Sequence, residues 1–168
     1  AAKQGFAKAQ CHIGTIYLKG KGMDVNYKKA VEWYEKAAEQ GDSLAQCNLG
    51  IMYECGRGVD VNYKKAVEWF EKAAKQGVAD AQFSLGGMYD SANLACFEPN
   101  DSKAMRWYAK AAAQGHEQAQ VNMDAFLARR RASSAAAAAE SSASPGKQEQ
   151  KKKGKKGKTA GGSKKRNN

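Results

Sequence analysis

The sequence has few cysteines, only two histidines and no long apolar run. Four cysteines in 168 residues, none of them in a Cys-x-x-Cys pair, are too sparse for the disulfide framework of a small secreted protein. We therefore expect a reducing compartment, the cytoplasm or the nucleus. No stretch reaches the roughly 18 consecutive apolar residues of a membrane-crossing helix, so we expect no transmembrane segment.

Residues that assemble catalytic or metal sites are also scarce. Neither His12 nor His116 lies in a spacing such as His-Glu-x-x-His, which would place two metal ligands on one helix face. Residues 157–159 (Gly-Lys-Thr) imitate the end of a phosphate-binding loop, but Lys152 stands where the first glycine of that loop belongs. We expect no catalytic residue, no metal and no cofactor, and therefore a protein that is not an enzyme.

Acidic residues are nearly absent from the last quarter of the chain. Residues 1–128 hold 15 basic and 15 acidic side chains, whereas residues 129–168 hold 13 basic and 2 acidic ones. The formal charge of +11 therefore arises in the C-terminal segment. This distribution indicates an electrically neutral body followed by a cationic tail.

The body repeats itself with a period of 36 residues. Residues 9–11 (Ala-Gln-Cys) recur at 45–47, and residues 24–33 are identical to residues 60–69. A third copy begins at Ala81, 36 residues after Ala45, and is 38 residues long. Its two extra residues fall in a loop before Asn100. The expected divisions are a partial unit 1–8, repeats 9–44, 45–80 and 81–118, a capping helix 119–131, and a tail 132–168.

Each repeat predicts two amphipathic helices. In the first repeat, apolar residues at helical spacing indicate a helix from about Ala9 to Lys19. The second helix begins after Asn26, whose side-chain oxygen suits the N-cap, and ends at Gly41, which suits a left-handed C-terminal position. The same caps recur at Asn62, Asn100, Gly77 and Gly115. We expect the tryptophans at 33, 69 and 107 to face neighbouring helices.

A glycine interrupts the first helix of each repeat, at positions 14, 50 and 86. Glycine costs a helix about 1 kcal/mol relative to alanine, so we expect a close helix contact there. The expected opposite surfaces are Ala30, Ala66 and Ala104. One repeat buries too little to fold alone, which predicts an all-α solenoid of stacked repeats.

Two cysteines occupy one repeated position. Cys11 and Cys47 stand where the third repeat has Phe83 and the next unit has Val121. Because that position accepts apolar residues, we expect the two thiols to be packed and unreactive.

The repeated pattern resembles a known family. Residues 45–77 read Ala-Gln-x-x-Leu-Gly-x-x-Tyr-x-x-Gly-x-Gly-Val and then Lys-Ala-x-x-Trp-Phe-x-Lys-Ala-Ala-x-Gln-Gly, which resembles the Sel-one-like repeat, a relative of the tetratricopeptide repeats. The resemblance covers residues 1–128 and implies a right-handed superhelical scaffold that binds proteins or peptides. Some secreted relatives carry a cysteine pair in every repeat, but Ala38 and Ala74 stand at the expected position here.

Both ends of the repeat region depart from the pattern. Residues 1–5 correspond to residues 37–41, so we expect the chain to start in the last turn of a missing helix. At the other end, Asp124 stands where the repeat glycine belongs and Leu127 where the tyrosine belongs. We interpret that helix as a C-terminal cap.

Partner specificity is expected where the first helices differ between repeats. In tetratricopeptide relatives the first helices line a concave groove, so we expect an extended peptide there. The candidate groove residues are Gln10, His12, Thr15, Gln46, Asn48, Ile51, Gln82, Ser84 and Gly87.

The tail has no aromatic residue and little to bury, which predicts disorder from Ala132 onward. The alanines at 135–139 offer a possible extension of the capping helix. Its cationic clusters contain Lys151, Lys152, Lys153, Lys155, Lys156, Lys158, Lys164, Lys165 and Arg166. They leave open weak nonspecific nucleic-acid contact, nuclear targeting, an anionic lipid surface or a solubilising role.

Residues 130–133 (Arg-Arg-Ala-Ser) resemble the site that basophilic kinases read, which makes Ser133 a candidate phosphosite. A phosphate beside three arginines is expected to fold the tail junction back on itself. The leading interpretation is a scaffold that binds a protein or peptide partner. The alternative is a polyanion-binding protein that acts mainly through its tail, and the oligomeric state stays open.

Overall fold

A computed structural model describes residues 2–90 and 100–142 of the chain. These residues form helices and no strand, which confirms the all-α prediction. The helices are α1 (Ala2–Lys19), α2 (Tyr27–Glu39), α3 (Ser43–Cys55), α4 (Tyr63–Lys75), α5 (Ala79–Asp90), α6 (Asp101–Ala112) and α7 (Glu117–Ser142). No described helix combines the length and apolar character needed to cross a membrane.

The predicted helix caps are present in all three repeats. The Asn26 side chain accepts a hydrogen bond from the backbone N–H of Lys29 at 3.0 Å. Asn62 and Asn100 cap α4 and α6 in the same way, at 3.0 and 2.9 Å. Gly41, Gly77 and Gly115 have φ angles of +91°, +91° and +82°, so each chain reversal uses a backbone conformation that glycine adopts most easily.

The helices pack as a linear series of hairpins. Within the repeats, α1 packs on α2, α3 on α4, and α5 on α6, while α2 contacts α3 and α4 contacts α5 between repeats. One continuous core results, and its largest fully buried side chains include Tyr34, Phe70 and Tyr108. Each of these rings comes from the second helix of a repeat, so the core follows the axis of the solenoid.

The close contact at the helix glycines is confirmed, but the predicted partner was wrong. A Cβ atom on Gly50 would lie 2.5 Å from the ring of Phe70, and one on Gly86 would lie 2.5 Å from the ring of Tyr108. Gly14 faces Tyr34 in the same way, at 2.8 Å. An aromatic ring, rather than the backbone near Ala30, Ala66 or Ala104, therefore fills the space that a side chain would need.

The three tryptophans are half-buried rather than central. Trp69 and Trp107 pack against the core from its edge. A lysine nitrogen lies over each indole ring: Lys36 over Trp33 at 4.6 Å, Lys72 over Trp69 at 3.9 Å and Lys110 over Trp107 at 4.7 Å. The residue that follows each tryptophan takes the central position: Tyr34, Phe70 and Tyr108.

Two helices are longer than the sequence predicted. The first begins at Ala2 rather than near Ala9, and α7 continues to Ser142. Residues 132–142, which we assigned to the disordered tail, are therefore helical, because the alanine run is a strong helix former. The compact repeat unit ends at Ala132, and the described part of the second unit, residues 133–142, is a helical segment.

Candidate functional site

Three of the expected groove residues belong to the packing and not to an accessible surface. Gln10, Gln46 and Gln82 are only 6%, 5% and 5% exposed. The Gln46 Nε2 group donates to the Ala38 carbonyl at 3.1 Å, and its Oε1 accepts from Gln76 Nε2 at 2.8 Å. The bond to Ala38 joins the second repeat to the first, and the bond from Gln76 lies within the second repeat. The glutamines therefore form an internal ladder, which corrects their assignment to the groove.

The ladder repeats along the solenoid. Gln82 Nε2 donates to the Ala74 carbonyl at 3.1 Å and its Oε1 accepts from Gln114 at 2.8 Å, while Gln10 accepts from Gln40 at 2.6 Å. A buried amide needs such partners because an unsatisfied one costs about 1–3 kcal/mol. The sequence signal was available: these glutamines are identical in every repeat, which is typical of packing positions.

The other six candidates remain accessible to different degrees. His12 is exposed, whereas the remaining five are partly exposed. They occupy two equivalent positions of successive first helices, and we call them the groove row: His12, Thr15, Asn48, Ile51, Ser84 and Gly87.

The polar groups beneath the groove row differ from repeat to repeat. In the first repeat, the Thr15 hydroxyl lies 3.1 Å from the Tyr34 hydroxyl. In the second repeat the corresponding residues are Ile51 and Phe70, and both hydroxyl groups are missing. The surface is therefore apolar in its middle and polar at its first end.

In the third repeat, polar groups again lie beneath the groove row, and one of them belongs to α7. Asn122 of α7 donates to the Tyr108 hydroxyl at 3.4 Å, and Gly87 leaves that hydroxyl uncovered by any side chain of its own. The capping helix thus extends the first-helix surface by one more position.

A second set of aromatic residues ties the repeats together beside this surface. The Tyr53 and Tyr89 hydroxyls donate to Glu35 and Glu71 of the preceding second helix, each at 3.4 Å. The Lys65 nitrogen lies 5.1 Å from the centre of the Tyr53 ring. The tyrosine–glutamate bonds cross between repeats, and the lysine–tyrosine contact lies within one repeat. Because these residues are shared by the repeats, they do not distinguish one partner from another.

The buried thiols have no nucleophilic character at neutral pH. Cys11 and Cys47 are 8% and 5% exposed, and burial, reinforced by nearby carboxylates, raises the pKa of each thiol to about 12. Their predicted packing role is confirmed. Val121, placed in the same apolar position, is 57% exposed, so that part of the prediction was wrong. Cys55 is exposed, and Cys96 lies outside the described residues.

The two histidines are separated and serve different roles. His116 Nδ1 accepts a hydrogen bond from the Ala119 backbone N–H at 3.2 Å, and its ring stacks on Phe83 with centroids 4.6 Å apart. His116 therefore helps to cap α7, while His12 lies in the groove row. Among the residues described, no group of three or more His, Cys, Asp or Glu side chains is arranged to hold a metal ion.

A small cavity lies at the turn between α2 and α3, away from the groove row. Its volume is about 240 Å³. The lining residues are Ala7, Lys8, Gln40, Gly41, Asp42, Ser43 and Gln76. None of the accessible groove candidates lines it, so it is a separate feature of the repeat edge.

The capping helix is attached to the preceding repeat by two of its own arginines. Arg129 makes a bidentate contact with Asp90, at 2.7 and 2.9 Å, and Arg130 lies 3.9 Å from Asp101. Asp124 is exposed where the repeat glycine would stand. Ser133 is an exposed helical residue, and the lysines and arginine of the tail clusters lie outside the described residues.

Comparison with protein families decides the classification. The model of the Sel1 repeat matches residues 7–42, 43–78 and 79–116. The chain belongs to the Sel1 repeat family. This confirms the resemblance found in the sequence, with repeat boundaries two residues earlier than expected. Sel1 repeat proteins are generally protein-interaction scaffolds and are typically non-enzymatic.

Solved structures of Sel1 repeat proteins share the fold. A Sel1 repeat protein from Oxalobacter formigenes is 39% identical, with a TM-score of 0.66, over 71% of this chain and 49% of that chain. The protein c5321, a protective antigen of uropathogenic Escherichia coli with an SLR fold, is 40% identical, with a TM-score of 0.65, over 70% of this chain and 25% of that chain. The matched regions therefore span half or less of these proteins. No curated protein sequence matches significantly.

Proposed function

We propose that this Sel1 repeat protein is a non-enzymatic scaffold that binds an extended segment of a partner protein along the groove row. The observation that supports the proposal is that repeated and variable positions of the first helices differ in their exposure. On the first helices, the glutamines that are identical in every repeat are buried in packing, whereas the residues at the two groove-row positions differ between repeats and lie on the accessible side. Variable accessible positions on a rigid scaffold are suited to recognition.

The groove row favours a particular kind of segment. Its centre is Ile51, a partly buried apolar residue packed against the core, and neither Ile51 nor the buried Phe70 of the same repeat carries a hydroxyl group. His12 at one end and Ser84 at the other supply hydrogen-bonding groups. We therefore expect a partner segment with one apolar side chain between polar ones, held in part by hydrogen bonds to its main chain.

The test replaces two partly exposed groove residues with a large charged one. We expect the double variant Asn48→Arg and Ser84→Arg to lose captured partners while its helical circular dichroism stays unchanged. The matched control is Glu68→Arg, which changes an exposed residue of α4 outside the groove row. Retention of every captured partner by the double variant would remove the support for this groove.

A second candidate function rests on the charge distribution. Residues 129–168 hold 13 basic and 2 acidic side chains, and such a segment binds polyanions through counterion release. We propose it as a salt-sensitive auxiliary contact or a nuclear address rather than the main recognition site. Arg129 and Arg130 are already paired with carboxylates of the body, which reduces the cationic surface available to a polyanion.

Deleting residues 143–168 separates the two functions without cutting α7. If the groove recognises the partner, capture survives the deletion while retention on RNA at low salt falls. Loss of partner capture together with RNA retention would favour the tail as the main binding element. The same deletion, followed by imaging, tests the proposed placement in the cytoplasm or the nucleus.

A further inference from the structure

Glu54 is a half-buried carboxylate near the end of α3. It follows Ile51 by three residues, so it lies one turn further along the side of the helix that carries the groove row. Among the described residues, its side chain makes no hydrogen bond and no ion pair. The carboxylate therefore extends the accessible surface of the groove row by one charged position.

The fold does not require a carboxylate at this position. The equivalent residue is Leu18 in the first repeat and Asp90 in the third. Leu18 is partly buried and packs against the core, so an apolar side chain satisfies the packing. At Glu54, burial instead raises the pKa of the carboxyl group, which means that the surroundings disfavour its charge. The position thus varies between repeats, as the groove row does.

The third repeat shows what a carboxylate at this position binds. Asp90 receives two hydrogen bonds from the guanidinium group of Arg129, at 2.7 and 2.9 Å. Arg129 belongs to α7, which extends the surface of the first helices, so its side chain reaches Asp90 along that surface. The Arg129 side chain remains 63% exposed. A guanidinium group can therefore approach this position from the accessible side.

No basic residue of the following repeat takes the place of Arg129 beside Glu54. The residue that corresponds to Arg129 one repeat earlier is Ser91. Residues 91–99 lie outside the described residues, but their sequence contains no lysine, arginine or histidine. The segment that follows α5 therefore supplies no positive charge for Glu54.

The hydroxyl group near Asp90 is also missing beside Glu54. Burial raises the pKa of Tyr108, and the negative charge of Asp90 raises it further, so the two groups are close neighbours. The second repeat has Phe70 in place of Tyr108, without a hydroxyl group. A half-buried carboxylate with neither neighbour is suited to a strong donor supplied from outside the chain.

We propose that Glu54 binds an arginine side chain of the partner segment that lies along the groove row. The inference rests on the proposed function, because it specifies one residue of the bound segment. The guanidinium group takes at Glu54 the place that Arg129 takes at Asp90, and Ile51 contacts an apolar side chain beside it. Arginine is favoured over lysine because its planar group donates two parallel hydrogen bonds to one carboxylate and is more weakly hydrated.

The test uses a defined probe, a library of decapeptides randomised around one fixed leucine. Peptides retained by the immobilised full chain are sequenced, and arginine should be enriched at one distance from the leucine. A selected peptide should bind Glu54→Gln about tenfold more weakly than the parent, because one charge-assisted pair is lost. Glu54→Asp, which introduces the residue type of the third repeat, should keep the selection. Glu68→Gln, at an exposed position of α4, is the matched control and should bind like the parent.

A second probe removes the charge from the peptide instead of the protein. Citrulline in place of the selected arginine keeps the length and shape of the side chain but carries no charge, so it should weaken binding to the parent as much as Glu54→Gln does. The two changes should not be additive, because each removes the same pair. Additive losses would contradict a contact between the arginine and Glu54. Thermal melts of Glu54→Gln confirm that its loss of binding does not come from unfolding.

The double variant Asn48→Arg and Ser84→Arg separates this inference from the proposed function. Peptides that depend on the groove but show no arginine preference, or keep that preference with Glu54→Gln, would overturn the role of Glu54 and leave the groove in place. If no peptide depends on the groove, both proposals fail. Arginine selection that appears only after residues 143–168 are deleted would show that the chain's own basic tail occupies Glu54, which would overturn its assignment to a partner.

Discussion

At Gly50, the first helix of the second repeat has no side chain, and the ring of Phe70 occupies the space that a side chain would need. The ring carbons lie 2.5 Å from where a Cβ atom would be, and the ring itself is fully buried. The helix accepts the low propensity of glycine because the ring fills the core. The same pairing at Gly14 and Gly86 makes it a property of the repeat.

We predict that Gly50→Ala destabilises the protein by about 1–3 kcal/mol, because the new methyl group forces a buried ring to move. Urea unfolding followed by circular dichroism measures the change. Gly87→Ala is the matched control: its Cβ would lie 3.7 Å from the Tyr108 hydroxyl, so the variant gains up to about 1 kcal/mol from helix propensity. Equal effects at the two glycines would contradict the ring-contact explanation.

Glu54 is a carboxyl group whose environment disfavours its charge. Burial raises the pKa of Glu54 from its ordinary value of 4.5. Below pH 4.5 the group is protonated in both folded and unfolded protein, so it has no effect on stability. Above that pH the unfolded chain releases the proton first, and stability falls until the folded-state pKa is passed.

We therefore predict that Glu54→Gln raises the thermal midpoint at pH 7.5 and leaves it nearly unchanged at pH 4. The amide removes the charge that burial disfavours, so the difference between variant and parent grows with pH. Thermal melts at the two pH values measure it. Glu68→Gln, at an exposed position, should show no comparable change, and a lower midpoint for Glu54→Gln at pH 7.5 would show that its charge is stabilising.

The sequence predicted those residue roles that depend on local geometry. Asn26 as an N-cap and Gly41 as a left-handed reversal follow from contacts within a few residues of the chain. It missed Gln46, because a glutamine on an amphipathic helix gives no local sign of which side is covered by the next repeat. The bond from Gln46 to Ala38 exists only after the repeats stack, and the bond from Gln76 exists only after the two helices of one repeat have packed.

At the scale of elements, the glutamines of the ladder make different numbers of hydrogen bonds, so comparing them shows how much one bond between repeats contributes to stability. Gln46 joins α3 both to the Ala38 carbonyl and to Gln76, whereas among the described residues Gln10 joins α1 to Gln40 alone. Two otherwise equivalent residues therefore differ by one inter-repeat hydrogen bond.

We predict that Gln46→Met costs about 1–3 kcal/mol, because two hydrogen bonds are lost, although the Ala38 carbonyl keeps its bond from the Gly41 N–H and the Gln76 amide keeps its bond to the Gly41 carbonyl. Gln10→Met should cost measurably less, since only the bond to Gln40 is lost. Chemical unfolding of the two variants under the same conditions gives the comparison. A cost for Gln10→Met equal to that for Gln46→Met would mean that the carbonyl bond contributes nothing to stacking.

The ends of elements were harder to predict than their centres. The start of α2 at Tyr27 follows directly from Asn26, but the start of α1 at Ala2 does not follow from its repeat pattern. In the later repeats, the equivalent residues form a reversal at Gly41 or Gly77, with positive φ. In α1 the equivalent glycine, Gly5, lies within the helix instead.

At the scale of the whole molecule, the first and the last described helices differ in the residues that further stacking would contact. At the C-terminal end, α7 places the charged Asp124 where a further repeat would need glycine, and Arg129 clasps Asp90. A second helix with a central aromatic ring would meet a carboxylate there. At the N-terminal end, α1 keeps the glycine and the apolar positions of an internal repeat. The family and the repeat register were therefore readable from sequence, whereas this asymmetry of contacts required the fold.

Amide hydrogen exchange tests this asymmetry in the unmodified chain. We predict that residues 9–19 exchange faster than residues 45–55, although both segments are first helices. The reason is that α3 is covered by α2 and α4, whereas among the described helices α1 is covered by α2 alone, and in a solenoid each helix is stabilised mainly by its neighbours. Mass spectrometry of peptides from the two segments measures the rates. The residues of α5 provide the internal control, since α4 and α6 cover that helix, and they should exchange as slowly as α3. Equal protection of α1, α3 and α5 would mean that local helix stability, rather than stacking, holds the repeats together.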